Sequence, residues 1–175
     1  MNKILADLNR KIKSKRLKIA VVGLGYVGFP LALEFAKRKI NVVGIEIDTG
    51  RLESIAHRKS YISDISSQEL SGLLRSGYFK ASSNFTDIGD ADAVLICVPT
   101  PLKGKYLPDI SFIKNAVEQV SLNLKTGALV ILESTTYPGT TEEEILPIFI
   151  KRGFKHGKDF YLCFSPERID PGNKK

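Results

Sequence analysis

A junction near the N-terminus constrains this chain more than any other feature. Residues 17–23 (LKIAVVG) form a β-branched apolar run that passes without a break into Gly23-Leu24-Gly25-Tyr26-Val27-Gly28, and a helix-like run, FPLALEFAKR, follows. A lone GxGxxG is weak evidence, but at a strand-to-helix turn each glycine has a job. Gly23 permits the tight turn, Gly25 lets backbone approach a pyrophosphate, and Gly28 allows close helix–strand packing. The helix N-terminus then offers free N–H groups and a positive dipole end to phosphates, with Tyr26 and Val27 in the same turn. A second apolar run, 40–46, ends at Glu46, 18 residues after Gly28, where a carboxylate can hold the ribose hydroxyls of an adenosine.

The rest of the chain repeats this alternation. Strands are predicted at about 17–23, 40–46, 78–82, 93–98, 128–133 and 160–164, with helical periods between them. This is the pattern of a parallel sheet covered on both faces. The fold class is therefore α/β, a Rossmann-type doubly wound parallel sheet with strand order 3-2-1-4-5-6. Helix starts are signalled by capping-box spacing at Ser66/Glu69 and Thr140/Glu143 and by Asp109 and Ser111, and Gly153 supplies a stop. Residues 151–158 read as a solvated turn.

With 175 residues, 43% hydrophobic and 26% charged, the chain suits one domain that removes roughly 70% of its unfolded surface from water without staples. Cys97 and Cys163 lie in apolar runs (LICV, YLCF), which suits two reduced, buried thiols and a cytoplasmic setting. His57 and His156 stand apart from every candidate site, so no metal is expected. No apolar stretch approaches the ~20 residues that cross a bilayer, and the N-terminus lacks the order of a signal peptide.

The net charge of +7 is concentrated. Residues 1–18 hold seven cations against Asp7 alone, and the remainder is nearly neutral. Ile4, Leu5, Leu8 and Ile12 fall on one side of a helix over residues 1–16 and the cations on the other. This extension reads as a helix packed on the domain or on a partner subunit, with contact to an anionic surface as the alternative. No aromatic is interleaved with the cations, which argues against nucleic acid.

Glu46 selects between cofactors. Its charge would repel the 2′-phosphate of NADP and accept hydrogen bonds from the free diol of NAD. Arg51, a turn into the next helix, could serve a 2′-phosphate, lie near the adenine or pair with a surface acid. In this strand order ligands bind outside the carboxyl ends of the strands, and those ends are chemically loaded: Val98-Pro99-Thr100-Pro101, Glu133-Ser134-Thr135-Thr136 and Ser165-Pro166-Glu167-Arg168. The chemistry they suggest is hydride transfer to a nicotinamide, with Pro99 and Thr100 lining the cofactor path, Thr135 orienting a water or substrate oxygen, and Glu167 as a carboxylate for proton transfer. Composition and spacing name no substrate.

In order, LKIAVVGLGYVGFPLA, VPTPL, PDIS, ILESTTYPGTTEE and FSPERIDPGN resemble the N-terminal NAD-binding domain of the UDP-glucose/GDP-mannose dehydrogenase family, over about residues 17–173. SPERIDPGN is similar to the branch that oxidises UDP-N-acetylglucosamine or UDP-N-acetylgalactosamine at C6. Members acting on UDP-glucose carry a further glutamate where this chain has Pro171. The resemblance implies oxidation of a primary alcohol to a carboxylate with two NAD, through a cysteine thiohemiacetal and thioester, in a homodimeric cytoplasmic enzyme. It implies that Thr135 positions the hydrolytic water, that Glu167 serves in acid/base chemistry and thioester hydrolysis with Arg168 beside it at the substrate, and that Glu46 binds the ribose. The family's nucleophilic cysteine and catalytic lysine have no counterpart here. The chain therefore resembles residues 1–16 plus a cofactor domain, 17–175, of an enzyme roughly two and a half times longer, without the central dimerisation and C-terminal substrate domains. Two alternatives stay open: a non-catalytic dinucleotide-binding or interaction module, and a two-domain hydroxyacid dehydrogenase.

Overall fold

The computed structural model describes residues 3–103 and 107–166. Six strands form one parallel sheet: β1 (Lys18–Val22), β2 (Asn41–Ile45), β3 (Phe79–Ser82), β4 (Ala93–Ile96), β5 (Ala128–Leu132) and β6 (Phe160–Phe164). Their spatial order is β3-β2-β1-β4-β5-β6, as the sequence predicts. Between β4 and β5 the chain adds a short antiparallel pair, Leu102–Lys103 with Leu107–Pro108, which no sequence signal announces.

Period-two alternation divides the apolar side chains between two cores. On one face Ile19, Val21 and Val42 meet Phe29, Ala32, Leu33 and Ala36 of helix α2 (Gly28–Lys37). On the other, Ala20, Val22, Val94 and Val130 meet Ile113, Val117 and Val120 of helix α5 (Ser111–Asn123) and Phe149 of helix α6 (Leu146–Lys151). Crossover helices cover both faces over β1, β2 and β4, whereas on the α2 face β5 and β6 are less covered, with Leu129 and Ile131 half-buried. Phe149 and Phe160 bring their ring centroids to 4.7 Å. Phe154 adds an edge contact to Phe160 at 5.8 Å, so the 151–158 turn is solvated except where this ring packs inward.

Helix α3 (Thr49–Ala56) and helix α4 (Ser67–Ser76) begin on side-chain caps. Asp48 accepts the Arg51 N–H at 3.0 Å and Ser66 accepts the Glu69 N–H at 3.1 Å, each satisfying a donor that a helix start leaves orphaned. Asp109 accepts the Ser111 N–H at 2.9 Å just before α5, and Gly153 follows α6 with φ +88°. The Thr140/Glu143 capping box does not form. Gly139, left-handed at φ 92°, takes the N-cap position, a π-helical turn (Thr140–Ile145) follows, and the buried Thr140 hydroxyl donates to the Tyr137 carbonyl at 2.8 Å. A residue folded into the core at that point cannot cap, and Gly139 supplies the conformation that turns the chain there.

Helix α1 (Lys3–Ser14) packs beneath the sheet, at the N-terminal ends of β1, β4 and β5. Leu8 is buried and Ile4 lies against Gly127, whereas Ile12, expected on the apolar side, is 45% exposed. The anchor is Asp92, 7% exposed at its side chain. Its Oδ1 accepts Lys11 Nζ at 2.8 Å and Lys125 Nζ at 2.7 Å, and its Oδ2 accepts the Lys18 N–H at 2.9 Å. Burial pushes the Asp92 carboxyl up, but these bonds outweigh it and hold the group below the usual carboxylate range.

Cys97 is buried, but Cys163 is exposed, against the expectation of two buried thiols. It sits on the edge strand β6, on the face opposite Phe160 and Leu162, which pack into the α5/α6 core. Among the described residues no helix is long and apolar enough to cross a membrane, and no group of metal-ligating side chains gathers.

Candidate dinucleotide site

The carboxyl ends of β1, β2 and β4 converge on a cavity of about 570 Å³, lined by Gly23 and Gly25 on one side, Glu46 and Arg51 on a second, and Val98 and Pro99 on a third. A smaller cavity of about 280 Å³ adjoins it, with Tyr26, Val27, Thr100, Glu133 and Thr135 in its wall. Both share Gly25, Arg51 and Pro99. Of the three strand ends that the sequence singles out, those after β4 and β5 come together here; Ser165 and Pro166, after β6, line neither cavity.

Each glycine of the turn meets a different requirement. Gly23 has φ +91°, and a Cβ there would fall 2.8 Å from the Cys97 carbonyl oxygen. At Gly28 a Cβ would fall 1.9 Å from the Gly23 carbonyl oxygen, so the start of α2 lies directly on the turn. Gly25 differs: the nearest atom to its Cβ position is Arg51 Nη1 at 3.9 Å. Its missing side chain leaves space open rather than relieving a clash. Val27 takes the N-cap position of α2 with no side-chain cap. The Phe29 N–H donates to the Gly25 carbonyl at 3.1 Å and Pro30 carries no N–H, so an anion at this helix start would meet the N–H groups of the turn that precedes Phe29. The turn therefore leaves open space at Gly25, where its spacing predicts the approach of a diphosphate.

Glu46 is 5% exposed and fully engaged. Oε1 accepts the N–H groups of Ile47 at 2.8 Å and Asp48 at 3.0 Å, while Oε2 accepts the Leu24 N–H and Arg51 Nη1, each at 3.0 Å. One carboxylate thus binds the end of β2 to the glycine turn. Arg51 pairs with this buried acid at 3.0 Å and, at 4.0 Å, with the exposed Asp48, the surface-acid option that the sequence left open.

At the end of β5 neighbouring residues divide their roles. The Ser134 hydroxyl is buried and tied to the carbonyls of Ile96 and Val98 at 3.2 and 2.7 Å, which pins the β4 end, and Thr135 beside it is exposed to the cavity. Glu167 and Arg168 lie outside the described residues. The cavity residues that went unnoticed in the sequence include Phe85, and Phe112, Asn115 and Gln119 of α5. The i, i+3, i+7 spacing of the last three is a single helix face, a signal that reads as ordinary amphipathicity until the sheet is known.

The chain matches the model of the UDP-glucose/GDP-mannose dehydrogenase family, NAD binding domain, over residues 17–175. It is 40% identical over 162 residues to a UDP-N-acetyl-D-glucosamine 6-dehydrogenase of Pseudomonas aeruginosa, covering 92% of this chain and 37% of that protein. It is 36% identical over 165 residues to a UDP-N-acetyl-D-mannosamine dehydrogenase of Escherichia coli strain K12, covering 88% of this chain and 38% of that protein. The crystal structure of an NDP-N-acetyl-D-galactosaminuronic acid dehydrogenase from Methanosarcina mazei superposes with a TM-score of 0.84 at 33% identity, over 98% of this chain and 38% of that one. The chain spans well under half the length of these relatives. With the fold, the glycine turn and the strand-end carboxylate in agreement, the chain belongs to the UDP-glucose/GDP-mannose dehydrogenase family as an NAD-binding domain.

Proposed function

We propose that this chain is the cofactor half of a nucleotide-sugar 6-dehydrogenase that oxidises the C6 alcohol of a UDP-N-acetylhexosamine to the carboxylate. The observation that carries the reading is the pair of adjoining cavities that share Gly25, Arg51 and the Cys97–Pro99 segment. The larger, beside Glu46, has the size and lining for the adenosine half of NAD, with Phe85 and Phe112 as apolar walls and Asn115 and Gln119 as polar ones. The smaller, between Tyr26 and Thr135, takes the nicotinamide half, and the diphosphate crosses at Gly25. NAD, when bound, supplies the hydride acceptor. This chain's residues bind and orient: Glu46 exchanges its Arg51 bond for the ribose diol, and Pro99 and Thr100 line the path to the nicotinamide. Thr135 holds a water or substrate oxygen, Glu167 moves a proton and Arg168 contacts the sugar nucleotide. The nucleophile belongs to other parts of the whole enzyme.

The SPERIDPGN run and the names of the relatives favour an N-acetylated sugar over UDP-glucose. The test is the whole enzyme, supplied in parallel with UDP-N-acetylglucosamine, UDP-N-acetylgalactosamine, UDP-N-acetylmannosamine and UDP-glucose, with NADH and the sugar acid both quantified. Two NADH per sugar acid from an N-acetylated substrate is expected. Preference for UDP-glucose would overturn the branch, and no NADH from any of the four would overturn the activity.

A further inference from the structure

Tyr61 lies outside the glycine turn in sequence, 37 residues after Leu24, yet its hydroxyl donates to the Leu24 carbonyl at 2.6 Å. The ring is fixed on both sides. It stacks on Phe29 at 4.8 Å between centroids and 19° between planes, and the Arg51 guanidinium lies 5.8 Å from its centroid. The flanking backbone is held too, since Ile62 is buried and Ser60 Oγ bonds across the turn to the Ile62 N–H and carbonyl. Burial, and after it the Glu46 charge, push the phenol well above its ordinary value, so at neutral pH it is a donor.

Leu24 is therefore gripped at both ends. Its N–H is fixed by Glu46 and its carbonyl by Tyr61, while Arg51 links these two side chains to each other. The peptide from Leu24 to Gly25 is trans and planar, so its carbonyl and the Gly25 N–H point in opposite directions. A carbonyl turned onto Tyr61 sends the Gly25 N–H the other way, and Gly25 is the residue of the glycine turn that lines both cavities. We propose that Tyr61 is a positioning residue of the cofactor site, holding the Leu24–Gly25 peptide in the orientation that presents the Gly25 N–H to the diphosphate. The inference rests on the reading that NAD lies across Gly25. It predicts that the part of a ligand that notices Tyr61 is the diphosphate and not the adenosine.

Tyr61→Phe keeps the ring stack and removes the one hydroxyl. Calorimetric titrations of the 175-residue chain and the variant with NAD, ADP-ribose and adenosine, with circular dichroism to establish folding, separate the possibilities. The expected result is NAD and ADP-ribose binding about five- to twentyfold weaker in the variant, the scale of one hydrogen bond lost with its partner left unsatisfied, and adenosine within about twofold. Wild-type chain that does not bind NAD would remove the underlying reading. Wild-type binding with equal affinities in the variant would overturn the role of Tyr61 alone. Equal weakening of all three ligands, or a variant that does not fold, would also overturn it, because the hydroxyl would then support the domain as a whole.

Discussion

Nη1 of Arg51 lies 3.0 Å from Oε2 of Glu46, on the same carboxylate oxygen that accepts the Leu24 N–H. The cation at the proposed ribose position is thus held by the acid that, on this reading, would reject a 2′-phosphate. Of the four donors on Glu46, Arg51 is the one on a long side chain that is 38% exposed, and so the one a ribose hydroxyl can displace. On the proposed reading Glu46 disfavours NADP because its charge repels the extra phosphate. Wild-type chain should bind NAD more tightly than NADP. In Glu46→Gln the repulsion is gone and Arg51 is released, so the NAD/NADP ratio of dissociation constants should move toward NADP by about tenfold, the scale of one charge interaction of about 1–2 kcal/mol at a partly wet site. Calorimetry with both cofactors checks it. An unchanged ratio would remove Glu46 from the selectivity of the site.

Two glycines of one motif should fail in different ways. Gly28→Ala places a methyl 1.9 Å from a backbone oxygen, where no side chain can yield. It should cost at least about 3 kcal/mol of stability, as severe overpacking does. Gly25→Ala meets nothing closer than 3.9 Å and should change stability by less than about 1 kcal/mol. Its methyl nevertheless stands where the diphosphate must approach, so NAD affinity should fall by about tenfold or more. Thermal melts and NAD titrations on the two variants test the contrast. Equal loss of stability in both would mean that the glycines serve packing only.

The fold was legible because its signals are local. Apolar runs such as AVLICV and ALVILE and caps such as Ser66 declare themselves within a few residues, and parallel topology follows from their alternation. The glycine turn and Glu46 were legible for the same reason. What escaped was decided by partners far away in sequence. Arg51 could be read three ways until β2 and α3 fixed it on Glu46, and Tyr61 carries no motif because its partner, Leu24, lies on another element. Cys163 sits in an apolar run whose period-two pattern cannot reveal that one face of an edge strand is left uncovered. Thr140 has the right spacing for a cap, but the preceding Gly139 takes a left-handed turn and folds the hydroxyl inward.

Glu167 stands three residues after Phe164 in the sequence, and the chemistry proposed for it can be separated from a bracing role. In the whole enzyme Glu167→Gln should lower kcat by about 10²–10⁴-fold, the usual contribution of a placed general acid/base. The amide is nearly isosteric, so melting temperature and NAD affinity should hardly change. If Glu167 serves thioester hydrolysis, a covalent enzyme–sugar adduct should accumulate and be visible by intact-protein mass spectrometry. Near-normal kcat with lost stability would instead make Glu167 a brace for its loop.

Asp92 couples the N-terminal helix to the sheet, and its charge sets how that coupling depends on pH. Asp92→Asn leaves Lys125 without its counter-ion beneath the sheet and Lys11 with Asp7 alone, at 3.3 Å. Breaking a buried pair costs about 3–5 kcal/mol, and because both lysines are about one-third exposed, water recovers part of it; about 2–3 kcal/mol is expected. That loss corresponds to a melting temperature lower by about 5–10 °C for a domain of this size. Lys11→Met keeps Lys125 and the Lys18 amide on Asp92 and should lose less than half as much. The pH dependence has a definite sign. The folded carboxyl titrates below its unfolded value, so its contribution is complete above the unfolded pKa of about 4 and disappears as pH falls through the folded one. The gap between wild type and Asp92→Asn should therefore be flat from neutral pH down to about pH 5 and close below about pH 4. Urea unfolding of both chains across that range measures it. A gap that persisted unchanged at pH 3 would show that Asp92 acts through its shape and hydrogen bonds, with no contribution from its charge.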